Sequence, residues 1–338
     1  MTKLKVGCSY RISNNFYDYY LLKWKIKKRI SLRIKTSPDP FAVELDYGFL
    51  KNHKSLFKSI FKLLKNSLLE YHRDSDKLIV YKNDRKNKIE FSRNLSAIET
   101  AEMAINLRGH VHDHDKDYFL VDVNNLKFFV RKSVSSDIYV IKENFSLEQY
   151  SFIYPLLKDG VVLDIGANIG DTAILFCSKG AKKIFAYEPH PFFFDLARRN
   201  IELNRMNDRI EARAYGVGSK DEVVILRDDS ELGPTGSFGT KGSEKTRENR
   251  LNIVKFSSII ADIGDVDVVK MDCEGAEFGA ILSCPPHLLR KIKAMAIEFH
   301  DDPAAIMGHL TESGFNVEII DDAPSKYGRR GLLLARRI

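Results

Sequence analysis

The stretch Val161–Asp171, VVLDIGANIGD, decides the fold, because an apolar strand runs directly into a glycine turn that opens a helix. Val161, Val162, Leu163 and Ile165 read as a buried parallel strand, Gly166 and Gly170 bracket the turn, and Thr172–Ser178 (TAILFCS) continues with helical spacing. A turn of this kind binds an adenosine cofactor. A dinucleotide site requires G-x-G-x-x-G, in which the second glycine admits the pyrophosphate and the third lets the helix pack closely on the strand. Here Asn168 and Asp171 occupy those two positions. A side chain stands where pyrophosphate would lie. A carboxylate at the helix start repels phosphate but suits a cofactor that carries an amino group and a sulfonium. The turn therefore favours S-adenosylmethionine (SAM) over NAD.

The flanking motifs extend this site. Asp164 precedes the turn, and Glu188 ends the next strand in IFAYEPHP, 22 residues beyond Gly166, where an acidic side chain accepts hydrogen bonds from ribose hydroxyls. Further on, VVKMDCEGAE (268–277) delivers Asp272 and Glu274 to the carboxyl edge of the sheet, with Gly275 opening the following helix. Glu274 is also favoured there simply as an anion near a helix N-terminus. Glu298 and His300 end the next strand, AMAIEFH. These groups are expected to surround one pocket beside the transferable methyl group. Asp272 or His300 is the candidate base, and Glu274 orients the base or holds an acceptor hydroxyl.

The same alternation runs through residues 135–338. Strands are predicted at 161–165, 183–187, 210–217, 266–271, 294–299, 315–320 and 331–336, and helices at 170–179, 191–204, 275–282 and 302–313. The last two strands are joined by DDAPSKYGRR without room for a helix, so an antiparallel hairpin closes an otherwise parallel, doubly wound sheet. The insertion 227–250, RDDSELGPTGSFGTKGSEKTRENR, reads either as a disordered linker or as a lid over the substrate.

Residues 1–134 read as a smaller, mixed α+β domain. Phe16–Ile30 is aromatic and basic, and Leu50–Tyr71 is a basic amphipathic helix with Phe57, Ile60, Phe61, Leu64 and Leu68 on one face. Lys77–Tyr81 and Lys88–Ser92 form a predicted hairpin, and Tyr118–Val123 and Leu126–Val130 flank an Asn-Asn turn. The run GHVHDHD alternates His110, His112 and His114, a spacing that suits Zn or Ni on a strand, but its position favours a polar loop and no metal is expected.

Charge separates the two parts. Residues 1–150 carry 28 Lys and Arg against 18 Asp and Glu, whereas residues 151–338 carry 25 against 28. The N-terminal excess is either a solvated basic face or a patch for an anionic partner such as RNA or a lipid surface. Cys8, Cys177, Cys273 and Cys284 form no C-x-x-C pair and read as reduced structural thiols. The apolar runs are too short for a membrane span, and the N-terminus has no signal-peptide pattern, so a cytoplasmic protein is expected.

Taken in order, DIYVIKENFSLEQY, VVLDIGANIGDTAILF, AYEPHP, RRNIELN, VVKMDCEGAE and IEFH resemble the FkbM-type, SAM-dependent methyltransferase family from about residue 135 to the C-terminus. The resemblance implies a class I, Rossmann-like fold, SAM as donor, and O-methylation of a hydroxyl on a sugar, glycolipid, polyketide or related metabolite. By position it implies SAM contacts from Asp164, Gly166, Asn168, Gly170, Asp171 and Glu188, and an acceptor pocket near Lys270, Asp272, Glu274 and His300. Where members of that family often carry Thr-Leu-Asp-Asp, this chain has Phe256–Ile260, FSSII. The competing readings are an RNA methyltransferase, or a nucleic-acid-binding protein that uses the basic N-terminal part.

Overall fold

The computed structural model describes residues 109–132, 134–228, 247–325 and 328–338, with further short strands at 29–34, 37–38, 41–46, 68–72, 77–81 and 88–92. The chain divides into two compact units: residues 1–125 with 129–142, and residues 126–128 with 143–338.

The second unit is built on a seven-stranded sheet of β1 (Val161–Ile165), β2 (Lys183–Tyr187), β3 (Ile210–Arg213), β4 (Val266–Met271), β5 (Ile292–Phe299), β6 (Phe315–Ser325) and β7 (Gly328–Arg337), in the order β3-β2-β1-β4-β5-β7-β6. The first five are parallel, and β7 runs antiparallel to both β5 and β6. Helices α1 (Asp171–Ser178), α2 (Pro191–Leu203), α3 (Phe256–Ile263), α4 (Ala276–Leu282), α5 (Pro286–Leu289) and α6 (Ala304–Glu312) complete the alternation. Strands covered on both faces must be apolar at nearly every position. In β1 and β4, Val162, Leu163, Ile165, Val268, Val269 and Met271 are accordingly buried. Strand order reverses between β1 and β4, which places a crevice at their carboxyl ends.

One expectation for this unit changes, and two elements join those expected. The strand expected over 210–217 breaks after Arg213, because the Tyr215 N–H turns back to the Arg213 carbonyl at 2.9 Å. Gly216–Gly218 instead joins a separate three-stranded sheet with Glu222–Asp228 and Arg247–Lys255. The insertion is thus flanked by an antiparallel strand pair, and residues 229–246 lie outside the described part. Finally, FSSII opens α3, with Phe256, Ser257, Ile259 and Ile260 buried.

In the first unit, Lys77–Tyr81 and Lys88–Ser92 pair antiparallel as expected. Leu68–His72 is a strand paired with Lys77–Tyr81, so the helix expected over Leu50–Tyr71 does not include its last four residues; the remainder of that segment, like 16–28, lies outside the described residues. Strands Tyr118–Val123 and Leu126–Arg131 are joined through Asn124 and Asn125 at φ 52° and 63°, the left-handed pair that a tight hairpin turn requires. Gly109–Asp113 is a strand paired with Tyr118–Val123 and not the expected loop. His112 lies on that strand, and His114 lies past its end, 3.8 Å from Asp115; the side chain of His110 is outside the described residues. Among the described residues no helix is long and apolar enough to cross a membrane.

Candidate active site

The turn after β1 is anchored on both sides. Gly166 and Ala167 donate to the Tyr187 carbonyl of β2 at 3.0 and 2.9 Å, and Asp272 N, just past β4, donates to the Ile165 carbonyl at 3.0 Å. Gly166 (φ 77°) has no substitute, since a Cβ there would lie 1.7 Å from the Asp272 carbonyl oxygen. Gly170, also left-handed, caps α1. Asn168 is held at φ 47°, and its N–H donates to Glu188 Oε2 at 2.9 Å. Its Oδ1 is shut from solvent and has no hydrogen-bond partner. The second oxygen of Glu188 accepts from His190 N at 2.9 Å. Burial pushes the Glu188 carboxyl up to about 7 despite those two N–H donors.

Beneath the turn lies a sealed polar cluster. Asp164 is fully buried; Thr172 donates to its Oδ2 at 2.6 Å, and Lys270 Nζ lies 3.3 Å from its Oδ1. Lys270 also donates to the Gly166 carbonyl at 2.7 Å. Burial works against the Lys270 charge, but Asp164, Asp272 and Asp171 outweigh it and hold the ammonium above the usual lysine range. Asp171 accepts from Asn144, and burial, reinforced by Asp164 against the pull of Lys270, pushes its carboxyl up to about 7. Lys270 lies under the β1 turn, held by Asp164 and the Gly166 carbonyl. Asp164, met by Thr172 and Lys270, supports the turn from below.

One strand away the carboxylates are more open. Asp272 leaves β4, Glu274 (φ 54°) is exposed, and Gly275 starts α4. His300, just past β5, brings its Nε2 to 3.9 Å from Asp272 Oδ1, 3.5 Å from Glu274 Oε2 and 3.9 Å from Glu298 Oε1. Its Nδ1 donates to Glu277 Oε1 at 3.1 Å. A carboxylate only accepts, so this bond fixes the proton on Nδ1 and turns Nε2 towards Asp272 and Glu298. Burial opposes the imidazolium, yet the Glu277 hydrogen bond and charge raise the His300 pKa. Glu277 is fully buried; burial would raise it, but its bonds from His300 and from Gly275 N at 2.8 Å hold it below its usual value. Glu298 is pushed up to about 7 by burial and by Asp272, against Arg330, whose Nε donates to it at 2.5 Å.

The structure thus brings Asp272, Glu274 and His300 together, and it places Gly166, Asn168, Gly170 and Glu188 around one turn beside them. Glu277, Arg330, Gln149 and Tyr150 were missed by sequence reasoning. Gln149 Nε2 donates to Glu298 at 3.4 Å. Tyr150 is buried where Asp272, Glu298, Asp164 and Asp171 all act on it, and burial above all raises its pKa well above the usual phenol value. Glu277 left a signal as the last residue of VVKMDCEGAE, and Gln149 and Tyr150 as the last two of DIYVIKENFSLEQY.

Known proteins carry the same pattern. Residues 164–317 match the methyltransferase FkbM domain. This segment resembles an FkbM-type methyltransferase domain. Within the chain that holds it, 168 residues are 29% identical to hexuronic acid methyltransferase AglP of Haloferax volcanii, covering 48% of this chain and 66% of that protein. AMB antimetabolite synthetase AmbE of Pseudomonas aeruginosa is 24% identical over 62% of this chain and 12% of its own length. Methyltransferase sdnD of Sordaria araneosa is 23% identical over 64% of this chain and 96% of its own length. The chain spans less than two thirds of the first two relatives. The matched residues run from within β1 to the start of β6, so they hold most of the parallel sheet together with Asp164, Glu188, Asp272, Glu277 and His300.

Proposed function

We propose that the chain is a SAM-dependent O-methyltransferase acting on a hydroxyl of a sugar, glycolipid or related metabolite. The observation that carries this reading is the contact between the two halves of the site: the Gly166 turn lies directly against the Asp272 carbonyl, while Asp272 and His300 stand 3.9 Å apart at the same edge. The residues present fit SAM. Asn168 Oδ1 is a buried acceptor with no protein donor, and Glu188 is a buried carboxylate at the end of β2, where ribose hydroxyls would be met. When bound, SAM supplies a methyl carbon already activated by a sulfonium, so the protein need only orient the acceptor and take its proton.

Asp272 is the proton acceptor in this reading, with His300 beside it and Glu274 at the rim to hold a second hydroxyl. Glu277 is a positioning residue that fixes the His300 ring. The sugar acceptor is supported by the hexuronic acid methyltransferase among the relatives. Residues 1–134 are read as a separate basic domain, whose excess of Lys and Arg would suit an anionic partner.

The test is calorimetry with SAM and with NAD, followed by incubation with methyl-labelled SAM and cell extract fractionated into glycan, lipid, RNA and small metabolites. SAM binding and label in a hydroxyl-bearing glycan or lipid fraction are expected. NAD binding without SAM binding overturns the cofactor, and label confined to RNA overturns the acceptor class.

A further inference from the structure

The sheet edge beyond β4 gathers more negative charge than it compensates. Asp272, Glu274, Glu277 and Glu298 all lie within 4 Å of a nitrogen of His300. Lys270, the nearby buried cation, is engaged by Asp164 and the Gly166 carbonyl. Arg330 reaches Glu298, but its side chain is 55% exposed and reaches the cluster from the surface.

We propose that Asp272, Glu298 and His300 form a binding site for a divalent cation of the Mn²⁺ type. Three observations point the same way. One donor atom from each of the three residues lies within 4.8 Å of the other two. His300 Nε2 is shut from solvent, lacks a hydrogen-bond partner, and stands 3.9 Å from both Asp272 and Glu298. Its other nitrogen donates to the buried Glu277, which is the carboxylate–histidine pairing that orients an imidazole towards a metal and makes it more basic.

Bonds of about 2.1 Å in an octahedral set put donor atoms roughly 3–4 Å apart, so the observed spacing needs only a small side-chain rotation. Two carboxylates and one imidazole suit a borderline-hard divalent ion and leave coordination positions open for acceptor oxygens. Such an ion also removes the repulsion that these carboxylates would exert on an acidic sugar. The use of the cation in methyl transfer rests on the function proposed above; its binding does not.

The test is titration of the full chain with Mn²⁺, followed by electron paramagnetic resonance of the free ion and by calorimetry. One saturable site is expected. Asp272→Asn, Glu298→Gln and His300→Ala should each raise the Mn²⁺ Kd at least tenfold, and Glu277→Gln, which leaves the ligands in place, should raise it about tenfold. Thermal melts without Mn²⁺ identify any variant that fails to fold, and the two near-isosteric changes keep the test alive if His300→Ala does. The absence of saturable binding at millimolar Mn²⁺, or wild-type affinity in the three ligand variants, overturns the site. SAM binding measured on the same samples separates the two ideas. SAM binding without Mn²⁺ binding sinks the cation site alone, and Mn²⁺ binding without SAM binding sinks the cofactor reading alone.

Discussion

Two carboxylate clusters sit one strand apart at the same sheet edge, and they are handled in opposite ways. Under the β1 turn, Asp164 and Asp171 are buried, and each meets a protein partner: a Thr172 hydrogen bond and the Lys270 ammonium for the first, Asn144 for the second. Beyond β4, Asp272 and Glu274 stay partly or largely exposed around an imidazole whose Nε2 has no hydrogen bond. A buried charge is tolerated when its partners are built in. The first cluster is therefore scaffolding for the turn. The second is unfinished as protein, and an unfinished polar site is where a ligand completes the chemistry.

The change that breaks both regions at once is Gly166→Ala. Its Cβ collides with the Asp272 carbonyl in a left-handed backbone, so we expect the chain to be recovered unfolded or aggregated, as read by circular dichroism and gel filtration. A soluble variant with a native melt would mean that the turn and β4 are not locked together.

Lys270→Met tests the sealed cluster alone. It leaves Asp164 buried without its cation and should cost about 3–5 kcal/mol in chemical denaturation. A loss below about 1 kcal/mol would make the cluster an ordinary surface pair.

For the open cluster the expected signature is the reverse, activity without stability. Asp272→Asn and His300→Ala should each lower methyl transfer by about 10²–10⁴-fold while leaving SAM affinity nearly intact. Full turnover in both variants would remove these residues from proton transfer.

The smallest effect concerns pH. The Asp171 carboxyl titrates at about 7 in the folded chain because of burial first and Asp164 next, with Lys270 opposing, and near 4 when unfolded. The unfolded chain therefore loses this proton first, and the contribution of Asp171 to stability falls as pH rises from about 4 to about 7. Asp171→Asn lacks that fall. Its melting temperature relative to the parent chain should climb by roughly 2–4 °C between pH 5 and pH 8. A constant difference would show that Asp171 is ionised in the folded state.

Much of the sheet was legible because β1 and β4 are covered on both faces and so appear as short, nearly continuous apolar runs. The closing hairpin was legible because DDAPSKYGRR leaves no room for a helix. The elements that were missed lack such a mark. FSSII is too short for its period to separate helix from strand, and the Glu222–Asp228 strand sits in a small sheet with Val223, Val224 and Ile225 exposed. In the site, Glu277 stood only as the last residue of its motif until α4 laid it under His300.

The amino-acid sequence by itself determined the turn. Gly166, Asn168, Gly170 and Glu188 are specified by local backbone geometry and by strand spacing, both of which are properties of short segments. Only the tertiary structure decided which carboxylates are satisfied. Whether an acid meets Lys270 or faces an empty imidazole nitrogen depends on which strands lie side by side and which way each residue points across them, and residues more than a hundred positions apart set that pairing.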